Sequence, residues 1–113
     1  MKSEVYVTLQ VEGEHQWKEC PFEEVAYLRV LHRHVFHIKA FKEVTHTERD
    51  VEFIMFKHEI ADYFKEKYYN ETKKLHCFGN MSCEKICEEL MDKFNLTRVE
   101  VSEDNENGSI LEK

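Results

Sequence analysis

The sequence predicts an α+β protein in which four strands form one antiparallel sheet and two helices cover one of its faces. Three observations lead to this prediction: alternating apolar residues in the first part of the chain, two helical patterns in the middle, and a short alternating pair of segments near the end. The length of 113 residues suits a single domain, residues 1–113, with one modest core.

The first two strands are predicted from the alternation of apolar and polar residues. Residues 4–15 place apolar side chains on one side and polar ones on the other, which is typical of a half-buried strand; the apolar positions are Val5, Val7, Leu9 and Val11. Residues 27–47 are rich in Val, Phe, Ile and Thr and contain no glycine or proline, so they predict one long second strand. The polar residues 47–50 end it.

Two helices follow. Apolar residues at i, i+4, i+7 and i+8 predict a helix over residues 53–68 with one apolar face. The second helix is predicted from strict spacings of three and four between apolar residues from Cys83 to Phe94. Ser82 is expected to cap its start, and Asn95 suits its end.

The last part of the chain predicts two short strands. Residues 97–103 alternate again, and the turn-rich residues 104–108 allow a last strand, residues 109–112, to fold back. The predicted order is therefore ββααββ, with both helices packed on one face of the sheet. Because such a sheet has open edges, we expect a homo-oligomer in which several copies pair edge strands into a closed barrel.

Composition limits the partners and the location. The chain has 23 acidic and 16 basic residues and a formal net charge of -7, so we expect no basic surface that attracts nucleic acid. No run approaches the ~20 apolar residues of a membrane-spanning helix, and the first residues lack the pattern of a signal peptide. We therefore expect a cytoplasmic protein without a membrane partner.

Cys83 and Cys87 stand at helical spacing among apolar residues and are expected to be core thiols.

Three histidines are the strongest candidates for a functional site. His32 and His34 lie two apart in a predicted strand, so their side chains leave the same face, whereas His37 leaves the opposite one. If the first two strands pair as a hairpin, His15 faces them. Three neutral imidazoles suit zinc, although iron and nickel accept the same ligands, and they leave a position open for water or substrate. The alternative is that these histidines are solvated or hydrogen-bonded side chains without a metal.

With these motifs in this order, the chain resembles the tetrahydropterin synthase family, which includes the 6-pyruvoyl- and 6-carboxy-tetrahydropterin synthases of the tunnelling fold, or T-fold. In that family a histidine at the end of the first strand and an HGH motif at the start of the second bind zinc. His15 and the HRH segment with His32 and His34 match these residues in order. The resemblance implies a T-fold and a Zn²⁺ cofactor.

The resemblance also implies ligand-binding residues. The family has a Pro-Thr-x-Glu start to its second helix and a Val-x-Glu-Thr strand whose glutamate holds the pterin ring. The comparable stretches here are MSCE, which ends at Glu84, and VSED, which contains Glu103. Glu103 is thus the expected residue for binding a pterin-like or purine-like ligand, because a carboxylate accepts two parallel N–H bonds, and Glu84 is expected to assist. Their alternatives are a solvated strand end for Glu103 and a favourable helix-terminal charge for Glu84.

The catalytic residues of the family match less well. Its cysteine just before HGH has no counterpart in residues 25–31, Cys20 lies well upstream, and its Asp-His pair is represented by Leu75 and His76. His76, or else Cys20, is the candidate for proton transfer. Three functions remain open: a zinc-dependent lyase acting on a pterin-like or purine-derived substrate, a non-catalytic module that binds or sequesters such a ligand, and an oligomeric structural domain with incidental histidines. The missing cysteine favours the second function over the first.

Overall fold

A single open sheet of six strands carries the hydrophobic core. The computed structural model describes all 113 residues. The strand order across the sheet is β3-β4-β1-β2-β5-β6. The elements in chain order are β1 (Ser3–His15), a 3₁₀ helix (Glu23–Arg29), β2 (His32–Val44), α1 (Phe53–Tyr68), β3 (Tyr69–Asn70), β4 (Leu75–Gly79), α2 (Cys83–Phe94), β5 (Arg98–Glu103) and β6 (Asn107–Glu112).

The α+β class is as predicted, but the predicted four-stranded antiparallel T-fold sheet with two helices is wrong. Two further strands, β3 and β4, lie between the helices, and β4 runs parallel to β1, so the sheet is mixed and open. Strands of two and five residues are too short to show a clear alternation, which is why the sequence did not reveal them. The second strand also begins later than predicted, because Glu23–Arg29 forms a 3₁₀ helix.

The long hairpin of β1 and β2 sets the register of the sheet. The two strands pair antiparallel from Ser3 with Val44 to His15 with His32. Odd-numbered residues of β1 and even-numbered residues of β2 therefore lie on one face, where both helices pack. The buried cluster on this face contains Val7, Leu9, Val11, Phe36, Ile38, Ala40, Phe56, Ile60, Phe64, Phe78, Cys83, Ile86, Cys87, Leu90, Leu96, Val99 and Val101.

Both α-helices occupy their predicted positions. The Glu52 side chain caps α1 by accepting hydrogen bonds from the N–H groups of Ile54 and Met55. Ser82 caps α2 through the N–H of Lys85, and Asn95 ends it in the left-handed conformation at φ 52°. Cys83 and Cys87 are buried and unbridged, as predicted. None of the helices combines the length and apolar character needed to cross a membrane.

Candidate metal centre

The hairpin brings the three predicted metal ligands together at one end of the sheet. His15 lies directly opposite His32, and His34 follows on the same face of β2. The ring centre of His15 lies 4.6 Å from the ring centre of His32 and 5.2 Å from that of His34. The ring centres of His32 and His34 lie 5.1 Å apart. One ring nitrogen of each lies within 4.8 Å of those of the other two. We call these three residues the histidine cluster.

Each ring of the histidine cluster is held from behind through its Nδ1 atom. His15 contacts the carbonyl of Met81 at 2.8 Å, and His32 contacts that of Val30 at 2.7 Å. His34 contacts Oδ2 of Asp104 at 2.7 Å. Because carbonyl and carboxylate oxygens only accept, each Nδ1 carries the hydrogen in the neutral ring, and Nε2 carries a lone pair. All three rings thus take the tautomer that offers Nε2 to a metal ion.

Two of these Nε2 atoms are buried without a hydrogen-bond partner, in His15 and His34. The whole of His15 is only 7% exposed. A buried polar atom left unpaired costs about 1–3 kcal/mol, so two such atoms facing one point are unusual in a structure that needs nothing else there. A zinc ion bound by the three rings would satisfy both Nε2 atoms. The three histidines therefore fit a zinc ion.

Glu103 adds a negative charge to the same point. Its Oε2 lies 3.1 Å from Nε2 of His15 and its Oε1 lies 3.4 Å from Nε2 of His34, but neither pair has the angles of a hydrogen bond. The His15 contact, with the nearby imidazoles of His34 and His32, outweighs burial and holds the pKa of Glu103 below its ordinary value. A carboxylate that faces two lone pairs at these distances attracts a cation between them.

Burial alone would lower the pKa of His15, but Glu103 and the Met81 carbonyl outweigh burial and raise it. This direction has the same origin as the lowered pKa of Glu103. The surroundings of His15 Nε2 favour a positive species there, either a proton or a metal ion.

The floor of the histidine cluster is aromatic. The Phe36 ring packs edge-on against His15 at 5.2 Å and His34 at 5.7 Å, and it contacts Phe78 at 5.1 Å. Gly13, which pairs with His34, makes room for these rings, because a Cβ atom there would lie 2.6 Å from Phe78. The rings exclude water from one side of the cluster.

The sequence did not predict that Asp104 and Cys83 lie beside the histidine cluster. Asp104 was expected only in a turn, although its position directly after Glu103 was a usable signal. Cys83 was expected only in the core, yet its Sγ lies 3.8 Å from Oε2 of Glu103. Burial, together with the Glu103 charge, raises the pKa of Cys83 to about 12, so this thiol stays protonated at neutral pH.

The remaining predicted residues lie away from the histidine cluster. His76 stacks on Phe78 with ring centres 6.1 Å apart and directs Nδ1 to the carbonyl of Glu12 at 2.8 Å. Glu84 is exposed on α2. Cys20 is buried in the β1–β2 connection, where its Sγ lies 3.8 Å from the carbonyl of Phe22. The fold therefore gathers the predicted metal ligands with Glu103 and leaves the predicted proton-transfer residues elsewhere.

Comparisons with known proteins add no family to this picture. A scan of protein-family models gives no match to the chain, and a search of curated proteins gives none either. The resemblance to the tetrahydropterin synthases stays a prediction from sequence motifs.

Proposed function

We propose that this protein binds a zinc ion through His15, His32 and His34 and uses that centre, together with Glu103, to hold a pterin-like or purine-like ligand. The observation that carries the proposal is the convergence of the three rings, each bonded through Nδ1, with the Nε2 atoms of His15 and His34 buried and unpaired. Histidines without a shared ligand are not expected to adopt the same tautomer and direct their Nε2 atoms to the same point.

The three neutral imidazoles suit zinc and leave a fourth position for an exchangeable ligand. When bound, zinc polarises ligand oxygens and acidifies protons next to them. Glu103 is the residue of this chain that would orient the ligand, because its carboxylate lies beside two of the three rings and accepts N–H bonds from a heterocyclic edge. The three histidines and Glu103 are the residues in which the chain resembles the tetrahydropterin synthases, and the proposed ligand class rests on that resemblance.

A non-catalytic binding module is the form of this function that the surroundings favour over a zinc-dependent lyase. Proton transfer needs a group near the ligand with a pKa close to the working pH. His76 stacks on Phe78 and contacts the Glu12 carbonyl, Cys20 is buried in the connection after β1, and the Cys83 thiol is held protonated. We therefore propose binding or sequestration of the ligand, with turnover as the outcome that would favour the lyase.

Metal binding is tested first. Purified protein is stripped with a chelator, and zinc is added during thermal unfolding and during a competition titration with a chromophoric chelator. We expect one zinc per chain and a rise in Tm with zinc concentration, because an ion that binds the folded state stabilises it. A protein with no zinc uptake and an unchanged Tm would instead be the structural domain with incidental histidines.

Ligand binding is tested next with dihydroneopterin triphosphate and the zinc-loaded protein. We expect binding without product, and we expect Glu103→Gln to weaken binding about tenfold or more, because the amide replaces one of the two acceptor oxygens with an NH2 donor and removes the charge. Glu84→Gln is the comparison, and its exposed position leads us to expect less than a twofold change. Unaltered binding in Glu103→Gln would remove this residue from the ligand site.

We also propose a homo-oligomer. β1 pairs with β4 only at Gly13 to His15, so most of that side of β1 is an open sheet edge. Open edges of this length are commonly covered by another chain. Light scattering after size-exclusion chromatography should give a mass of two or more times 13.7 kDa, and a mass of 13.7 kDa would refute the proposal.

A further inference from the structure

Asp104 is attached to the strand that carries His34 by three contacts. Its Oδ2 lies 2.7 Å from Nδ1 of His34, and its Oδ1 accepts the N–H of Val35 at 2.9 Å. Its own N–H donates to the carbonyl of Val35 at 2.8 Å. The β2–β5 ladder ends at the pair of Phe36 and Glu103, so Asp104 extends the pairing by one residue with its backbone and its side chain.

His34 differs from the other two rings in the charge of its Nδ1 partner. His15 and His32 contact neutral backbone carbonyls, whereas His34 contacts a carboxylate. A carboxylate accepts the Nδ1 hydrogen more strongly than a carbonyl, fixes the tautomer and ring orientation, and makes Nε2 a better metal donor. One ring of the three is thereby oriented by an ionised side chain.

We propose that Asp104 is a positioning residue that holds His34 in its metal-binding orientation and thereby sets the zinc affinity of the centre. This inference rests on the proposed metal function. It assigns the two consecutive acidic residues different tasks: Glu103 faces the Nε2 side of the rings, and Asp104 supports one ring from its Nδ1 side.

Asp104→Asn isolates this role. Asp104 has φ 55°, a left-handed conformation that asparagine also adopts readily, so the turn is retained. The amide oxygen can still accept the Val35 N–H, while the negative charge on the His34 side is lost. Asp50→Asn is a matched control, because Asp50 also accepts a backbone N–H, from Thr45 at 2.7 Å, and lies 3.6 Å from a histidine, His46.

Zinc affinity is measured by chelator competition for the wild-type protein and both variants, with thermal unfolding of the zinc-free proteins as a check on folding. We expect Asp104→Asn to weaken zinc binding about 10–100-fold, as loss of an outer-shell partner does, and Asp50→Asn to change it less than twofold. An affinity of Asp104→Asn within twofold of wild type would overturn the inference while leaving the metal proposal standing. A wild-type protein that does not bind zinc would overturn the metal proposal itself, and this inference with it.

A second measurement addresses the ring directly. Two-bond ¹H–¹⁵N spectra of the zinc-loaded proteins distinguish metal-bound Nε2 from protonated Nδ1 in each histidine. In Asp104→Asn we expect the His34 signals to shift or broaden while those of His15 and His32 keep their wild-type positions. Unchanged His34 signals would contradict a positioning role, whereas equal changes in all three rings would indicate a general structural effect and also contradict it.

Discussion

The histidine cluster and the group around Glu89 both combine a glutamate with aromatic side chains, but their polar atoms are paired in opposite ways. Glu89 accepts hydrogen bonds from Tyr68 at 2.7 Å and from Tyr63 at 2.9 Å, and its Oε1 lies 3.1 Å from the Lys67 ammonium. In this group, two hydroxyls and an ammonium face the carboxylate that accepts their hydrogens. In the histidine cluster, a carboxylate meets lone pairs, and two Nε2 atoms have no partner.

This difference distinguishes a structural network from the metal site that we propose. The group around Glu89, which we call the tyrosine network, links α1 to α2 and is complete within the chain, so it stabilises the fold without any further component. The histidine cluster leaves two buried Nε2 atoms without a partner, which the proposed zinc ion would supply. The two groups adjoin at Met81, whose sulfur lies 3.4 Å from the Tyr68 hydroxyl and whose carbonyl holds His15.

The largest expected effect tests the histidine cluster. His34→Ala should weaken zinc binding more than about a hundredfold, because loss of a ligand costs more than loss of an outer-shell partner. His37→Ala is the matched control, since His37 lies on the opposite face of the same strand. Chelator competition measures both. Equal zinc affinities of the two variants would mean that the cluster does not hold the metal.

The next effect tests the tyrosine network. Glu89→Ala should lower the free energy of unfolding by about 2–3 kcal/mol, because two partly buried hydroxyls lose a charged acceptor. Zinc affinity should stay within about twofold of wild type, since the network is not part of the metal site. Urea denaturation of zinc-free protein measures the stability.

The neighbouring Glu88 provides the control for this network. Its only ion pair, to Lys85 at 3.4 Å, is exposed, so Glu88→Ala should change the stability by about 0.5 kcal/mol or less. If both variants lose the same stability, the network around Glu89 is no more than a surface arrangement.

The third prediction concerns the aromatic floor between the two groups. Gly13→Ala should lower stability by about 2 kcal/mol, because its Cβ would lie 2.6 Å from the buried Phe78 ring. The displaced ring contacts Phe36, which packs against His15 and His34, so zinc affinity should fall as well. Denaturation and chelator competition measure the two effects. A loss of stability without any loss of zinc affinity would show that the floor does not position the rings.

The smallest expected effect is the acid sensitivity of the tyrosine network. Burial would raise the pKa of Glu89, but hydrogen bonds from Tyr68 and Tyr63 and the Lys67 ammonium outweigh burial and hold this pKa below its ordinary value of 4.5. The contribution of Glu89 to stability is thus complete above pH 4.5 and is lost as the pH falls toward the folded-state pKa. The difference in stability between wild type and Glu89→Gln should shrink as the pH falls over this acid range, as measured by urea denaturation. A difference that does not vary with pH would contradict the lowered pKa.

The sequence predicted the α+β class, both α-helices and the residues of the histidine cluster, because each depends on local information. Periodic apolar residues specify α1 and α2, and an HxH pair in a strand faces one way whatever surrounds it. It did not predict β3 and β4, since such short strands are formed by pairing with β1 and not by their own pattern. The count and direction of the strands were therefore wrong.

By itself, the chain determined which side of each strand its residues occupy and where its helices begin and end, because backbone periodicity and capping act over a few residues. The tertiary structure decided which polar atoms meet. It joined Asp104 to His34, placed Cys83 beside Glu103 and directed Nδ1 of His76 to the carbonyl of Glu12. These contacts join residues far apart in sequence, and their distances depend on the register of the whole sheet. That register brings the three histidines and Glu103 together and leaves the residues expected to transfer protons elsewhere.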